Sequence, residues 1–137
     1  LRSEEMEIIN LRIQEKYKKI EESEVRFEEY MLDDAEYAIV AFGSAARIAK
    51  KSIEIARSQG IKFGLLRPIT LWPFPTKEVQ KLGEKMKGIL SLEINAGQMV
   101  EDIRLAVAGR VPVQHFGRLG GIIPDPDEVV DAIKRLF

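Results

Sequence analysis

Cysteine is missing from the 137 residues. Its absence excludes disulfides, thiolate catalysis, cysteine-ligated zinc and iron–sulfur ligation by this chain. Histidine occurs once, as His115, so a histidine-based metal cluster is excluded as well. Neither sign of charge is in excess: 21 Lys and Arg against 22 Asp and Glu leave a formal net charge of −1. No long-range field therefore favours nucleic acid or an anionic membrane, and there are no base-stacking aromatic clusters. Apolar runs stay short of the ~20 residues that a membrane-spanning helix needs. The first residues lack the charged head and apolar core of a signal peptide. These absences set the expectation of a cytoplasmic protein with no nucleic-acid or membrane partner. The chain opens on Leu1 and enters a charged helical pattern at once, which sets the further expectation of a piece excised from a longer polypeptide.

What is present is enough for one packed domain, at 45% hydrophobic and 31% charged residues. The organising stretch is Ile89–Met99. An apolar run from Ile89 to Ile94 stops at the polar turn Asn95-Ala-Gly97-Gln98. Then Met99, Val100, Ile103, Ala106 and Val107 recur at helical spacing. This is a strand feeding a helix N-terminus, where free backbone N–H groups favour an anion or acceptor and where open α/β sheets gather ligands. Turn-making alone also accounts for Asn95 and Gly97.

Along the chain, Ser3 is a candidate N-cap, and Met6, Ile9, Ile13, Tyr17 and Ile20 form one apolar stripe. The stripe is short and Lys16 breaks the heptad, so a packed connecting helix is expected in place of a coiled coil. Val25, Phe27 and Met31 form an apolar face, interrupted by Glu29, that alternates with Arg26, Glu28 and Tyr30, and the pattern reads as a partly exposed edge strand. Tyr37–Phe42 reads as a central strand. Gly43-Ser44 ends it and opens a helix carrying Ala45, Ile48, Ala49, Ile53 and Ala56 inward, closed by Gly60. Ile61–Leu66 is a third strand.

Arg67-Pro-Ile-Thr-Leu-Trp-Pro-Phe-Pro75 is a stiff, apolar connection that either folds back on the sheet or packs on a partner. Thr76 is taken to cap a helix with Val79, Leu82 and Met86 inward. Val113–Phe116 is a fifth strand, and Asp125-Pro-Asp-Glu128 starts the last helix with cap, proline and carboxylate in order. Strand and helix alternate with short connections, so the fold class is α/β with a largely parallel sheet.

The chemical candidates are sparse. Gly43-Ser44 lacks the further glycines of a dinucleotide fingerprint and the Lys of a phosphate loop. Ser44 as a nucleophile has no identifiable base, and His115 has no identifiable acidic orienter. Glu93 interrupts an apolar run, so it is either hydrogen-bonded to adjacent backbone donors or aimed at a partner. Taken alone, the chain does not read as a complete enzyme, and no catalytic, cofactor-binding or metal-binding residue is assigned.

In order, Gly43-Ser44 after a buried strand, Leu66-Arg-Pro-Ile-Thr-Leu-Trp-Pro-Phe-Pro75, Glu93-Ile-Asn-Ala-Gly-Gln-Met99 and Gly117-Arg-Leu-Gly-Gly121 form a set. Together they resemble the C-terminal domain of the α subunit of 2-oxoacid:ferredoxin oxidoreductases, the family acting on 2-oxoglutarate, 2-ketoisovalerate or pyruvate. The resemblance spans about residues 25–137, with residues 1–24 as a linker helix from a missing N-terminal domain. It implies a three-layer α/β/α fold like the transketolase C-terminal domain, with a five-stranded mixed sheet of order 1-3-2-4-5 and strand 1 antiparallel.

It also implies a non-catalytic scaffold within an oligomeric enzyme that decarboxylates a 2-oxoacid oxidatively to an acyl-CoA and reduces ferredoxin. Thiamine diphosphate with Mg, iron–sulfur clusters and coenzyme A would belong to the intact complex. The implied partners are an upstream pyrimidine-binding domain, a β subunit and ferredoxin.

In that strand order a switch point opens between Gly43-Ser44 and Asn95–Gln98. The expected occupant is a carboxylate or carbonyl of a neighbouring domain, or an anionic group such as a coenzyme A phosphate, with Arg67 and Trp72 bordering it. Two other readings stay open here: a flavodoxin-like domain binding a small anion or nucleotide, and the same fold in a transketolase or a lipoamide-linked dehydrogenase.

Overall fold

The structure is a computed structural model and describes residues 2–137. Ten elements follow one another: α1 (Ser3–Ser23), β1 (Phe27–Tyr30), β2 (Tyr37–Val40), α2 (Gly43–Ser58), β3 (Phe63–Pro68), α3 (Thr76–Lys85), β4 (Gly88–Glu93), α4 (Met99–Val107), β5 (Val113–Gly117) and α5 (Pro126–Leu136). The strands form one five-stranded sheet in the order β1-β3-β2-β4-β5. β1 runs antiparallel to β3 while the other pairings are parallel. This is the topology expected from the resemblance. No helix among the described residues is long and apolar enough to cross a membrane.

Both faces of the central strands are buried, and alternation divides their side chains between two cores. On one face Ala38, Val40, Leu66 and Ile89 meet Val79 and Leu82 of α3 and Ile103 and Val107 of α4. On the other, Ile39, Leu65, Leu90 and Leu92 meet Ala49 and Ile53 of α2 and Val129 and Ile133 of α5. Phe137, just beyond α5, stacks near Tyr37 at 5.0 Å between centroids. A Cβ on Gly88 would strike the Phe137 ring, so a larger residue there would displace that terminal side chain. The last helix starts as its sequence dictates: Asp125 accepts from the Asp127 N–H at 2.9 Å, and Glu128 reaches back to the Asp125 N–H at 3.1 Å. Asp125→Ala is expected to lower stability by about 1 kcal/mol, measured as a drop in urea midpoint at unchanged m.

Four local expectations change. In β1 it is Glu28 and Tyr30 that turn toward α2, while Phe27 and Met31 are exposed. The inward face of this edge strand is lined by charge: Glu28 accepts from Lys50 at 2.5 Å and from Arg67 at 2.9 Å. Lys50 also lies over the Tyr30 ring, 5.2 Å from its centroid. Met31 then takes a positive φ of 53°, which swings the buried Leu32 toward the α3–α4 core. It crosses β3 so closely that a Cβ on Gly64 would lie 2.5 Å from the Met31 carbonyl oxygen. Thr76 does not cap α3; Pro75 holds the cap position, and the Thr76 hydroxyl bonds to the Phe74 carbonyl instead. Ser3 is the first helical residue of α1 and makes no cap. Finally, α1 is not packed: none of its residues is buried.

Candidate functional site

The strand-end turn is built around Glu93. β4 places Ile89, Ser91 and Glu93 on the α4 side of the sheet, and Glu93 closes the strand fully buried. Its carboxylate sits on the first turn of α4. Oε2 accepts from the Gln98 and Met99 N–H groups at 3.0 and 2.9 Å, and Oε1 accepts from the Val100 N–H at 3.0 Å and the Ser91 hydroxyl at 2.9 Å. Four donors therefore converge on one carboxylate, which satisfies the orphan N–H groups of the helix and meets the positive end of its dipole. Burial alone pushes this carboxyl up; the N–H groups of Gln98 and Met99, the Ser91 hydroxyl and the Val100 N–H outweigh it and hold Glu93 below its ordinary 4.5.

The chain between strand and helix is fixed as tightly. Asn95 Oδ1 accepts from the Gly97 N–H at 2.7 Å, the Asx arrangement that closes a tight turn. Gly97 takes a φ of +106°, a backbone state that L side chains rarely adopt. β5 supplies the wall: His115 pairs with Ser91 and Gly117 with Glu93 in register. The His115 ring packs under Gly97, and its Nε2 is buried without a hydrogen-bond partner, 3.9 Å from Glu93 Oε1. At Gly117 a Cβ would fall 2.9 Å from the Glu93 carbonyl oxygen and still nearer that of Asn95.

The expected residues thus separate into groups. Glu93, Asn95 and Gly97 form one closed unit, with the Gln98 side chain exposed at its rim. Gly43 and Ser44 stand exposed at the start of α2, whose N-cap, Phe42, offers no side-chain acceptor. They line, with Asn95 and Ile94, a shallow hollow of about 170 Å³ at the switch point. Arg67 belongs to the Glu28–Lys50 cluster on the α2 face. The two cations hold the Glu28 carboxyl below its ordinary 4.5, Lys50 more strongly than Arg67. Trp72 does not border the hollow. It leans edge-on against Tyr17 of α1 at 5.4 Å and remains 54% exposed.

Two expectations are corrected here. The α4 N-terminus is not open to a neighbour's carboxylate, because Glu93 already occupies that seat. Arg67 and Trp72 do not flank one contact. Ser91 carries no motif in the sequence, although a serine two residues before a glutamate in an apolar strand marks a shared face.

The α4 N-terminus does not fit thiamine diphosphate. A diphosphate at the α4 N-terminus would meet the buried Glu93 carboxylate, and the described residues hold no group of His, Asp or Glu able to bind a metal. Fold and site define a transketolase C-terminal-like α/β domain in which the end of β4 is closed by its own Glu93. Residues 35–129 match the model of the pyruvate:ferredoxin oxidoreductase core domain II. The chain belongs to that family.

It is 44% identical over 133 residues to the ketoisovalerate oxidoreductase subunit VorB of Methanothermobacter thermautotrophicus, covering 97% of this chain and 38% of that one. It is 31% identical over 104 residues to the 2-oxoglutarate synthase subunit KorA of Methanothermobacter marburgensis, covering 76% and 28%. The chain therefore spans less than half the length of these relatives. Among solved structures, the 2-oxoglutarate:ferredoxin oxidoreductase of Magnetococcus marinus superposes with a TM-score of 0.77 at 17% identity, over 98% of this chain and 23% of that one. A split-gene transketolase, solved as an inactive β4 tetramer, superposes with 0.64 at 14% identity, over 80% and 41%.

Proposed function

We propose that this chain is a non-catalytic scaffold domain of a 2-oxoacid:ferredoxin oxidoreductase α subunit, a cytoplasmic enzyme. In this reading the complete enzyme converts a 2-oxoacid oxidatively to an acyl-CoA and reduces ferredoxin. Thiamine diphosphate with Mg is held by an upstream pyrimidine-binding domain and a β subunit, and iron–sulfur clusters and coenzyme A belong to the intact complex. Residues 1–24 connect to that upstream domain, and residues 25–137 form the brace. The observation that carries the reading is the 44% identity, across 97% of the chain, to a ketoisovalerate oxidoreductase subunit more than twice as long. The self-satisfied Glu93 site agrees with it, since its donors are spent inside the fold.

The isolated chain is expected to leave a 2-oxoacid untouched under conditions where the longer polypeptide with its partner subunit reduces ferredoxin. Turnover by the chain alone would refute the scaffold role. Docking is assigned to the hollow at Gly43-Ser44, where α2 presents N–H groups without a side-chain cap. Ser44→Glu places a carboxylate where the helix dipole welcomes it and a neighbour's acceptor would sit. Stability is expected to hold or rise slightly while subunit association weakens about tenfold, the effect of losing one charge-assisted contact. Normal assembly of Ser44→Glu would remove the docking assignment and leave the scaffold role standing.

A further inference from the structure

His115 is the one imidazole of the chain, and its two ring nitrogens meet different surroundings. Nε2 is buried against Gly97 and has no hydrogen-bond partner. Nδ1 has no partner among the described residues either, but it is not cut off from solvent: the side chain is 22% exposed, and Nε2 is its buried nitrogen. Backbone lies against the inner side of the ring, since a Cβ on Gly97 would come within 3.4 Å of Cδ2 and one on Gly117 within 2.9 Å of Cε1.

What Nε2 faces decides which nitrogen holds the proton. Glu93 Oε1 lies 3.9 Å away, too far for a direct hydrogen bond and near enough for its charge to act across a dry interior. The carboxylate has no proton to lend, because three backbone N–H groups and the Ser91 hydroxyl already donate to it. Ser91, the residue paired with His115 across the sheet, gives its hydroxyl proton to Glu93 and so does not serve the ring. A bare Nε2 would therefore turn its lone pair on a buried negative charge, whereas an Nε2–H turns a positive hydrogen toward it. The neutral ring is left with its lone pair on Nδ1, at the surface.

We infer that the Glu93 carboxylate holds His115 as its Nε2–H tautomer, and that Nδ1 is an acceptor site for an N–H or O–H donor of a neighbouring domain. The tautomer is a property of this chain alone, whereas the occupant rests on the scaffold reading. Within the strand-end unit, Glu93, the Ser91 hydroxyl and Asn95 Oδ1 are satisfied inside the fold, so Nδ1 is an acceptor left facing outward. It complements the hollow at Gly43-Ser44, where α2 presents N–H groups and would take an acceptor. Glu93 is thus the acidic orienter of His115 that no spacing in the sequence identified.

A single histidine makes the tautomer directly readable. In an isotope-labelled chain in alkaline buffer, with the ring neutral, long-range proton–nitrogen NMR spectra should place the proton on Nε2 over Nδ1 by at least about tenfold. Glu93→Gln removes the charge and should lower that ratio several-fold, while Ser91→Ala, which keeps the carboxylate, should not. A proton on Nδ1 in the unaltered chain overturns the inference whatever the variants do, and an unchanged ratio in a folded Glu93→Gln chain overturns the role of the carboxylate. The occupant is tested with diethyl pyrocarbonate, which acylates a neutral imidazole at its bare nitrogen. The reagent is applied to this chain alone and to the longer polypeptide assembled with its partner subunit, and the peptide holding His115 is followed by mass spectrometry. Assembly should slow the reaction at least about tenfold, and His115→Phe should weaken association about fivefold, the worth of one hydrogen bond. Equal rates, or full association of His115→Phe, overturn the acceptor site. Turnover of a 2-oxoacid by the isolated chain, which would refute the scaffold role, leaves the tautomer result unaffected.

Discussion

Replacing Glu93 with alanine is expected to cost about 3 kcal/mol or more of folding stability, the largest loss for any single polar side chain in this domain. Three backbone N–H groups and the Ser91 hydroxyl lose their acceptor at once inside the fold, and each buried donor left unpaired costs on the order of 1–3 kcal/mol unless water reaches it. The start of α4 would fray first. Hydrogen exchange should quicken at Gln98, Met99 and Val100 before it does in α2 or α5. Glu93→Gln keeps the shape and one acceptor oxygen but turns an amide N–H₂ toward other donors, so it should fall between wild type and alanine.

The same carboxylate sets a pH dependence. Its folded-state pKa lies below the ordinary 4.5. Its stabilisation is therefore complete above that ordinary value and is lost as pH falls through the folded-state pKa. Glu28, Asp34 and Glu36 are also held low, by Lys50, Arg57 and Lys87 respectively as the strongest cause for each. They are present in both chains and contribute equally, so the wild-type minus Glu93→Ala difference isolates the buried group. The gap between the two urea midpoints should be full above the ordinary 4.5 and narrow as pH falls through the lower folded-state pKa. A difference that shrinks as pH rises would mean that Glu93 is not ionised in the fold, and a constant one that its pKa is not shifted by folding.

Gly117→Ala is expected to cost about 1–3 kcal/mol, the range for forcing a methyl group into a filled interior. Its Cβ would press on the backbone carbonyls of Glu93 and Asn95, which cannot swing aside as a side-chain end would. The damage should be local. Relief requires β5 to move away from β4 at its carboxyl end or the Asn95–Gln98 turn to shift, so protection at Phe116 and across the turn should fall while the β2–β3 pairing holds. The His115 ring, whose Cε1 would lie 2.9 Å from the new methyl carbon, should change its NMR environment as well. An alanine variant as stable as wild type would show that the two strands do not approach this closely.

Both predictions concern a site whose individual parts were readable before its arrangement was. The polar turn after an apolar run located Asn95 and Gly97, and an Asx turn with a positive-φ glycine is what those residue types make locally. Glu93 stood out as a carboxylate where only apolar residues otherwise fit. Its partners were adjacent in sequence, so capping of α4 was one of two readings from the start. That the seat is closed to a neighbouring chain follows only from the fold, because all its donors must converge within 3.0 Å to exhaust its oxygens.

Tertiary structure also decided the face of β1. Alternation in Val25–Met31 suggested that Phe27 points inward, but an edge strand is buried by whatever lies over it. Here that is Lys50 of α2 and Arg67 of β3, so Glu28 is the residue drawn in. Trp72 was recognisable as sticky surface, yet its contact, Tyr17, is far away in sequence and no local rule could name it.

The sequence by itself determined the α/β class, the five strands and the order of the helices, because these follow from hydrophobic period, glycine breaks and caps that act within a few residues. With the family resemblance it also specified the strand order. Which polar groups remain open, which face of the edge strand turns inward, and which helix goes uncovered were decided by the assembled domain. Those properties depend on what one element finds on another, and the competition for each donor is resolved only when the elements meet.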